Sequence, residues 1–500
     1  MPERPPPLRT PRTPSAPPAA GGRPLRRRAA RLARRLTSAV RPVRIEWPAP
    51  GDLPPVGHET RIASVLAALD IGASRYSAGD PLGYDIPQSR LPGALAAILA
   101  ACDASDKACH LGLPGRIVRI TSRDRNRALQ LARAQQDFRV FVVDAGGKLV
   151  ENVRVRLWRE GRGPSLVALS EHAPVARVRA AHPPSETLEP PVTDASFTFP
   201  IDAVYTWVDA TDPGWREQLA AYRDIEALDL DRFAQADELR YSLRALDLFA
   251  PWIRRVHILS NCRPPAWFQS SDRVRWIDHR EVIDGSYLPL FNSEAIETFL
   301  HRIPDLAEHF LYLNDDFFIW NDADPSAFFT FDGRSVAHLA PRGGVIYWMQ
   351  SIEADVAEDW QSARVNGARL LLARHGFLPT RQHEHVPYAL SRSVIEELER
   401  EFASEFEAVR RSRFRDAADV SLIPFVYHHW AVKQGRAVGS TAGHRSLDAD
   451  FARDLDPADL THAEFLCIND REGSATDPRV RGAKERLLAA RLPIRSSAER

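Results

Sequence analysis

The stretch that most constrains this chain is residues 310–320, FLYLNDDFFIW, in which two apolar runs flank Asn314, Asp315 and Asp316. A large apolar run of this length is typical of a strand buried on both faces, as in a parallel sheet. Burying an unpaired carboxylate is costly, so two of them at a strand end must be solvated, matched by arginines or neutralised by a metal ion. On these residues alone, an exposed β-turn and a metal site are equally consistent with the pattern.

Composition narrows the class of protein. Five hundred residues exceed one ordinary core, which indicates two or three domains, and 66 basic residues against 66 acidic ones give no basis for a nucleic-acid partner. No apolar run is long enough to cross a bilayer, and the N-terminus lacks the apolar core of a secretory signal. The cysteines lack zinc-type spacing and fit a reducing compartment: Cys102, Cys109, Cys262 and Cys467. We therefore expect a cytoplasmic protein.

Composition also divides the chain into four segments. Residues 1–50, rich in Pro and Arg, are predicted to be a disordered basic tail, because they hold too few large apolar residues to offset the entropy of folding. Residues 51–195 are predicted to form a small α+β accessory domain with a linker, and residues 196–472 a catalytic domain. Residues 473–500 are predicted to be a peripheral C-terminal tail. The basic tail is a candidate for peripheral contact with an anionic membrane, with a solvated tail as the alternative.

Residues 196–472 alternate short apolar runs with helical patterns, which is typical of a mostly parallel α/β sheet flanked by helices. The first predicted strand, 201–208, ends at Asp209, and the strand at 255–259 is followed by Asn261. Ligands bind at the carboxyl ends of such strands. If the strands are parallel, these two residues share an edge with the Asn-Asp-Asp segment, which favours a functional site over a turn.

These residue types suit a phosphorylated substrate. Mg²⁺ prefers one or two carboxylates together with phosphate oxygens, and arginine supplies a planar fork for phosphate. Phosphoryl transfer then requires positioning, charge neutralisation and a base for the attacking hydroxyl. The candidate bases are His383, His385, His428 and His429.

Four blocks of this sequence resemble the Stealth family, the bacterial capsular polysaccharide phosphotransferases, which also includes the α/β subunit of the animal N-acetylglucosamine-1-phosphotransferase. The first block is IDAVYTWVDATD at 201–212, and the second and longest covers 237–316 and ends in FLYLNDD. The third covers 385–419 and begins HVPYALSRSVIEEL, and the fourth is FLCIND at 465–470. The second block is specific by its length, whereas the first and fourth are weak alone.

The resemblance implies a nucleotide-sugar-transferase-like, Rossmann-like fold. It also implies transfer of a hexose 1-phosphate from a UDP-sugar to a hydroxyl of a glycan or glycoconjugate acceptor, with release of UMP and formation of a phosphodiester. The implied setting is capsular or cell-surface polysaccharide synthesis, and the implied cofactor is Mg²⁺ or Mn²⁺.

The resemblance also assigns roles to residues. It implies that Asp315 and Asp316 handle metal and diphosphate and that His385 is the general base. Tyr388 stands where the animal enzymes have a second histidine, so a two-histidine mechanism is not expected. The other implied site residues are Arg240 and Arg415 as phosphate clamps, Asp419 as an orienting or metal-linked carboxylate, Asp202, Asp209 and Asn261 beside the nucleotide, Asn292 and Ser293 beside the sugar, and Asn314 beside the metal and diphosphate.

Two other functions fit the same residues. A metal-dependent glycosyltransferase of similar fold would release UDP rather than UMP, and a sugar-nucleotide or glycan-binding protein would have no turnover. Individual residues could also have a purely structural role. Arg240 could pair with Glu238 or Asp247 on the surface of its helix. Asn292 or Ser293 could simply cap the helix that follows it.

Overall fold

A computed structural model of the chain describes most of its length beyond the N-terminal tail. The described residues are 61–71, 83–161, 165–170, 172–173, 175–179, 197, 199–224, 235–448, 460–469 and 477–500. The predicted basic tail, 1–50, lies outside them. They all belong to one compact unit, Pro48–Arg500. Among them, no helix has both the length and the apolar character needed to span a bilayer.

The part of the chain before residue 180 forms a seven-stranded sheet with three helices. Its strands are β1 (Gly83–Pro87), β2 (Ala108–Leu113), β3 (Arg116–Ile120), β4 (Asp137–Val143), β5 (Leu149–Glu160), β6 (Ser165–Ala168) and β7 (Arg177–Arg179), and its helices are α1 (Ile62–Ala67), α2 (Leu91–Ala104) and α3 (Arg125–Arg133). The order is β3-β2-β4-β5-β6-β7, with antiparallel neighbours, and β1 adds to β5 in parallel. On the long central strand β5, Arg156 is fully buried because it forms a bidentate pair with Asp85.

From residue 201 onward, strands and helices alternate. The strands are β8 (Ile201–Thr206), β9 (Val256–Ser260), β10 (Val274–Asp278), β11 (His309–Asn314), β12 (Phe317–Ile319), β13 (Ser335–His338), β14 (Tyr388–Ser391), β15 (Ala437–Ser440), β16 (His444–Asp448) and β17 (Phe465–Asn469). The helices are α4 (Pro213–Ala220), α5 (Glu238–Phe249), α6 (Ser293–Glu297), α7 (Val345–Glu353), α8 (Asp359–His375), α9 (Arg392–Glu401), α10 (Ala403–Arg411), α11 (His428–Lys433), which follows a π-helical turn at Leu422–Tyr427, and α12 (Pro478–Arg491).

The central sheet has five strands in the order β10-β9-β8-β11-β14. The first four are parallel to one another, and the edge strand β14 is antiparallel to β11. Strands β8 and β11 lie inside the sheet, so their residues are buried on both faces, as Val204 and Leu311 illustrate. The predicted α/β class with a mostly parallel sheet is therefore confirmed.

The apolar stretch 310–320 is divided between two sheets. Strand β11 belongs to the central sheet and ends at Asn314, while β12 pairs with β17 in a three-stranded sheet, β12-β17-β16. Asp315 and Asp316 form the turn between them. Both flanking runs are almost fully buried, as Phe310 and Phe318 show. The two half-buried carboxylates are therefore held in a short turn between two buried strands.

The C-terminal segment is not peripheral, which corrects the prediction for residues 473–500. Helix α12 buries Leu487 and Leu488, and Glu499 is completely buried. Glu499 receives hydrogen bonds from Arg244, whose Nε lies 2.6 Å from Oε1, and from Arg240. The prediction was wrong because three charged residues of this segment, Lys484, Arg491 and Glu499, are buried and have partners in the core rather than in water.

Asp322, just after β12, joins the three-stranded sheet to the seven-stranded sheet. It accepts hydrogen bonds from Arg139 on β4 and from Arg154 on β5, whose Nε lies 3.0 Å from Oδ2. Both arginines are buried. Burial alone would raise the pKa of Asp322, but the two guanidiniums lower it below its ordinary value.

Replacing Asp322 with alanine should therefore destabilise the protein by about 3–5 kcal/mol, because it leaves two buried guanidiniums without their carboxylate. Denaturant unfolding of the full chain measures the change. Asp332→Asn is the control: Asp332 is exposed and pairs with Arg334, so its loss should change the free energy of unfolding very little. Equal effects of the two substitutions would contradict the role of Asp322.

Candidate active site

The acidic turn lies at the carboxyl ends of β8 and β11. Asp315 accepts a hydrogen bond from Gln235, with 2.6 Å between Nε2 and Oδ2. Asp316 accepts one from the Cys467 thiol at 3.5 Å, and its carbonyl oxygen accepts one from the Ile468 amide. Strand β17 therefore holds the second aspartate in place beside the first.

The negative charge of each carboxylate makes ionisation of the other less favourable. Burial and the neighbouring Asp316, together with Glu238, raise the pKa of Asp315 to about 8. Burial and Asp316 also raise the pKa of the Cys467 thiol well above its ordinary value. A cation beside these carboxylates would stabilise their ionised form.

This donor set fits a hard divalent ion such as Mg²⁺ or Mn²⁺. Carboxylate oxygens are the ligands that such ions prefer. Among the described residues, no group of three or more His, Cys, Asp or Glu side chains is placed to hold a metal ion. An ion held by Asp315 and Asp316 would thus take its remaining ligands from substrate oxygens and water, as Mg²⁺ commonly does.

A second group of predicted residues meets at the start of α6. Asn292 caps this helix by accepting a hydrogen bond from the Glu294 amide at 3.1 Å, and its Nδ2 donates to Asp419 Oδ2 at 2.8 Å. Arg415 donates to the Ser293 hydroxyl at 2.7 Å. Asn292 and Ser293 are therefore in direct contact with Asp419 and Arg415, respectively, which lie far from them in sequence. Burial raises the pKa of Asp419.

Tyr312 connects the acidic turn with α6. Its hydroxyl lies 3.1 Å from Asn314 Oδ1 and 2.9 Å from Glu297 Oε1. Burial and the neighbouring Glu294 raise the pKa of Glu297 well above its ordinary value. Glu294 and Glu297 are one helical turn apart in SEAIE, a spacing that places both carboxylates on one face and that the sequence analysis missed.

His385 lies close to the same group. Its ring centroid is 6.0 Å from that of Phe317, the residue after Asp316, and its Nε2 is 3.5 Å from an Arg364 nitrogen. The Arg364 guanidinium lies 4.7 Å from the Trp360 ring centroid. Arg364 and Arg415 both lower the pKa values of Glu294 and Glu297 against the effect of burial, so their charges face this part of the site. Arg364 lies in α8, outside the four resembling blocks, and only the fold brings it here.

The other three candidate bases are core residues. His383 and His428 are fully buried with ring centroids 4.0 Å apart, and burial lowers both pKa values well below the ordinary one. Burial also lowers the pKa of His429 to about 4. Of the four candidate bases, His385 alone is partly exposed at the site.

Asp202 does not border the site, which corrects its predicted role. It lies near the amino end of β8, while the acidic turn follows the carboxyl end of its neighbour β11. It is fully buried, and Arg254 binds both of its carboxylate oxygens at 2.9 and 2.7 Å. Burial would raise the pKa of Asp202, but Arg254 and His257 lower it far below its ordinary value. Asp202 is thus part of the ion-paired base of the sheet.

Arg240 faces the C-terminal segment. It binds Glu499 at 2.6 Å and lies 3.5 Å from Asp237, rather than pairing with Glu238 or Asp247. Both of these hydrogen bonds go to residues outside the acidic turn. Its role as a phosphate clamp stays a prediction.

Asp209 and Asn261 lie at the predicted edge of the sheet. Asp209 follows β8 and accepts hydrogen bonds from the amide and hydroxyl of Thr211. Asn261 follows β9 and lines a cavity of about 490 Å³ together with Trp276. Both residues lie where they would border a nucleotide bound at this edge of the sheet.

Comparison with known proteins identifies a family whose conserved regions match this chain. Three conserved regions of the Stealth proteins match this chain: region 1 at residues 199–227, region 2 at 232–337 and region 3 at 384–433. The first three resembling blocks overlap these regions.

Several curated proteins are similar to this chain. An exopolysaccharide phosphotransferase of Streptomyces coelicolor is 40% identical over 312 residues, which is 60% of this chain and 53% of that protein. The capsular polysaccharide phosphotransferase SacB of Neisseria meningitidis serogroup A is 31% identical over 320 residues, 60% of this chain and 57% of SacB. The chain thus spans about half the length of these relatives. The solved galactosyltransferase LgtC covers 58% of this chain and 96% of its own at 12% identity, and its TM-score of 0.30 is too low to support any conclusion.

The pKa of Asp315 provides a test of the metal site. In metal-free protein it should fall below about 8 in Asp316→Asn, because the adjacent negative charge is removed. A large excess of Mg²⁺ should lower it in the wild type and have less effect in the variant. NMR titration of the carboxyl carbons measures both changes, with Asp332→Asn as a control that should leave Asp315 unaffected. If Mg²⁺ leaves the pKa of Asp315 in the wild type unchanged, these carboxylates are not its ligands.

Proposed function

The chain belongs to the Stealth family, and from this membership we propose that it transfers a hexose 1-phosphate from a UDP-sugar to an acceptor hydroxyl, releasing UMP. The proposed setting is the synthesis of capsular or other cell-surface polysaccharide, in line with the names of its relatives. The observation that carries the proposal is the juxtaposition of the acidic turn, His385 and Arg364.

In this proposal, Asp315 and Asp316 hold a divalent cation against the donor diphosphate. Such an ion, when bound, neutralises negative charge that develops on the leaving phosphate. Asn314 is fixed at the start of the turn by Tyr312 and is placed to hydrogen-bond the donor. The buried flanking strands keep these groups in one position, which lowers the reorganisation needed during transfer.

In the proposed step, the oxygen of the acceptor hydroxyl attacks the β-phosphorus of the donor. The bond from that phosphorus to the oxygen bridging the two phosphates breaks, and UMP leaves with its electron pair. His385 accepts the hydroxyl proton. The sugar keeps its bond to the β-phosphate, so the product is a phosphodiester. Attack at the anomeric carbon would instead release UDP.

Arg364 and Arg415 supply positive charge near the reacting phosphate. Arg415 is oriented by Ser293, and the contact between Asn292 and Asp419 fixes the loop that carries it. Arg364 is held against Trp360. Guanidinium groups fixed in this way can bind phosphate oxygens without first losing much side-chain freedom.

The nucleotide product tests the reaction class. With a panel of UDP-hexoses, Mg²⁺ and a glycan acceptor, the protein should release UMP in proportion to the phosphodiester formed. Chromatography of the nucleotides together with phosphorus NMR of the product measures both. Release of UDP would indicate a glycosyltransferase, and binding of donors without turnover would indicate a binding protein.

The two predicted roles should be separable in variants. His385→Ala should reduce kcat about 10²–10⁴-fold while changing the donor Kd little, because a base acts mainly in the transition state. Asp316→Asn should lose activity and also weaken Mg²⁺-dependent binding of the donor. Steady-state kinetics and donor titrations measure these effects, and His172→Ala, an exposed histidine before residue 180, is the matched control. A weaker donor Kd with unchanged kcat in His385→Ala would assign the histidine to binding.

A further inference from the structure

A cavity of about 510 Å³ lies beside the candidate active site. It is bounded by α10 and by the loop from Ser412 to Val420. Arg415 and Asp419 contribute to its lining, and both also contact residues at the start of α6. The cavity therefore adjoins the place where the acceptor hydroxyl would react.

Three arginines line this region, and none of them is paired with a carboxylate of the described residues. The Arg223 guanidinium lies 4.1 Å from the ring centroid of Phe414, and that of Arg413 lies 4.2 Å from the ring centroid of Tyr222. Arg415 donates to Ser293. Among the described residues, none of these three guanidiniums forms an ion pair with a carboxylate. Aromatic stacking orients the Arg223 guanidinium while leaving its N–H groups available to an anion, whereas Arg413 and Arg415 each donate some of their N–H groups to a protein oxygen and keep the others.

The carboxylates in the same lining have other partners. Glu405 lies 3.3 Å from an Arg374 nitrogen, and Asp416 accepts a hydrogen bond from the Ala418 amide at 2.8 Å. Asp419 is bound to Asn292. The arginine charges are therefore not locally neutralised by these acidic groups, although the lining holds as many acids as arginines.

The cavity lining also includes an aromatic residue, Phe414. Phe414 is only partly buried, and its outer face carries Arg223. Its ring stacks on Phe291 with the centroids 5.3 Å apart and an interplanar angle of 13°. Both faces of the Phe414 ring are therefore covered, and the ring holds the Arg223 guanidinium in place at the cavity.

We propose that this cavity binds the acceptor glycan through a phosphodiester already present in the chain, with Arg223 and Arg413 binding the phosphate oxygens. The inference rests on the proposed function: each transfer leaves a phosphodiester one unit behind the new chain end. An enzyme that extends its own product therefore meets this anion next to the reactive hydroxyl. The donor diphosphate is the other source of the same chemistry.

The experiment compares the wild type, Arg223→Gln and Arg413→Gln with the control Arg127→Gln, which removes an exposed arginine of α3. The probes are two glucose disaccharides, one joined by a phosphodiester and one by a glycosidic bond, together with UDP-glucose. Calorimetric titration of the full chain measures each Kd. The phosphodiester probe should bind Arg223→Gln about tenfold more weakly than the control, the loss expected for one charge-assisted hydrogen bond.

Arg413 also donates to the Pro289 carbonyl oxygen at 2.8 Å, so its variant is accompanied by a melting curve. Arg223 is exposed, and its variant decides the test even if Arg413→Gln unfolds. Equal affinity of Arg223→Gln and the control for the phosphodiester probe would overturn the inference. A loss confined to UDP-glucose would also overturn it, because the cavity would then serve the donor.

The proposed function can fail separately. Arginine-dependent binding of the phosphodiester probe without UMP release from any UDP-hexose would support the binding site while the transferase proposal fails. UMP release with arginine-independent acceptor binding would leave the transferase proposal standing and overturn the cavity assignment.

Discussion

Electrostatic repulsion between Asp315 and Asp316 is the constraint on which the site depends. The two carboxylates occupy a turn between strands of different sheets. Burial and the repulsion from Asp316 together raise the pKa of Asp315. Such an arrangement lowers stability unless something compensates for the charge. A divalent cation would compensate for it, so the repulsion between the carboxylates favours the cation-bound site over the empty one.

Holding that turn requires support from distant parts of the chain. Asp322 connects its second strand to two arginines of the seven-stranded sheet, and Arg491 of α12 donates to the carbonyl oxygen of Trp320. Glu499 fixes Arg244 on α5, the helix that also carries Glu238 near Asp315. Each contact joins residues more than 160 positions apart. The elements before and after the central sheet therefore help to fix the position of the acidic turn.

The arginines around the site differ in what surrounds them. Arg244 and Arg254 are bound to carboxylates and stabilise the fold. Arg364 is held near an aromatic ring, and Arg415 by a hydroxyl, so much of their hydrogen-bonding capacity stays available. Arg223 is held by stacking alone in the contacts described. This difference, which residue type cannot reveal, separates structural ion pairs from candidate phosphate ligands.

The sequence by itself determined the α/β class and the acidic strand end, because hydrophobic periodicity and ordered motif blocks are local signals. It could not show that Asp202 is neutralised by Arg254 or that the charged C-terminal segment is buried. It also gave no reason to select Arg364, Glu294 or Glu297. The tertiary structure decided these points, since the partner that makes a buried charge affordable is chosen by the fold and can lie anywhere in the chain.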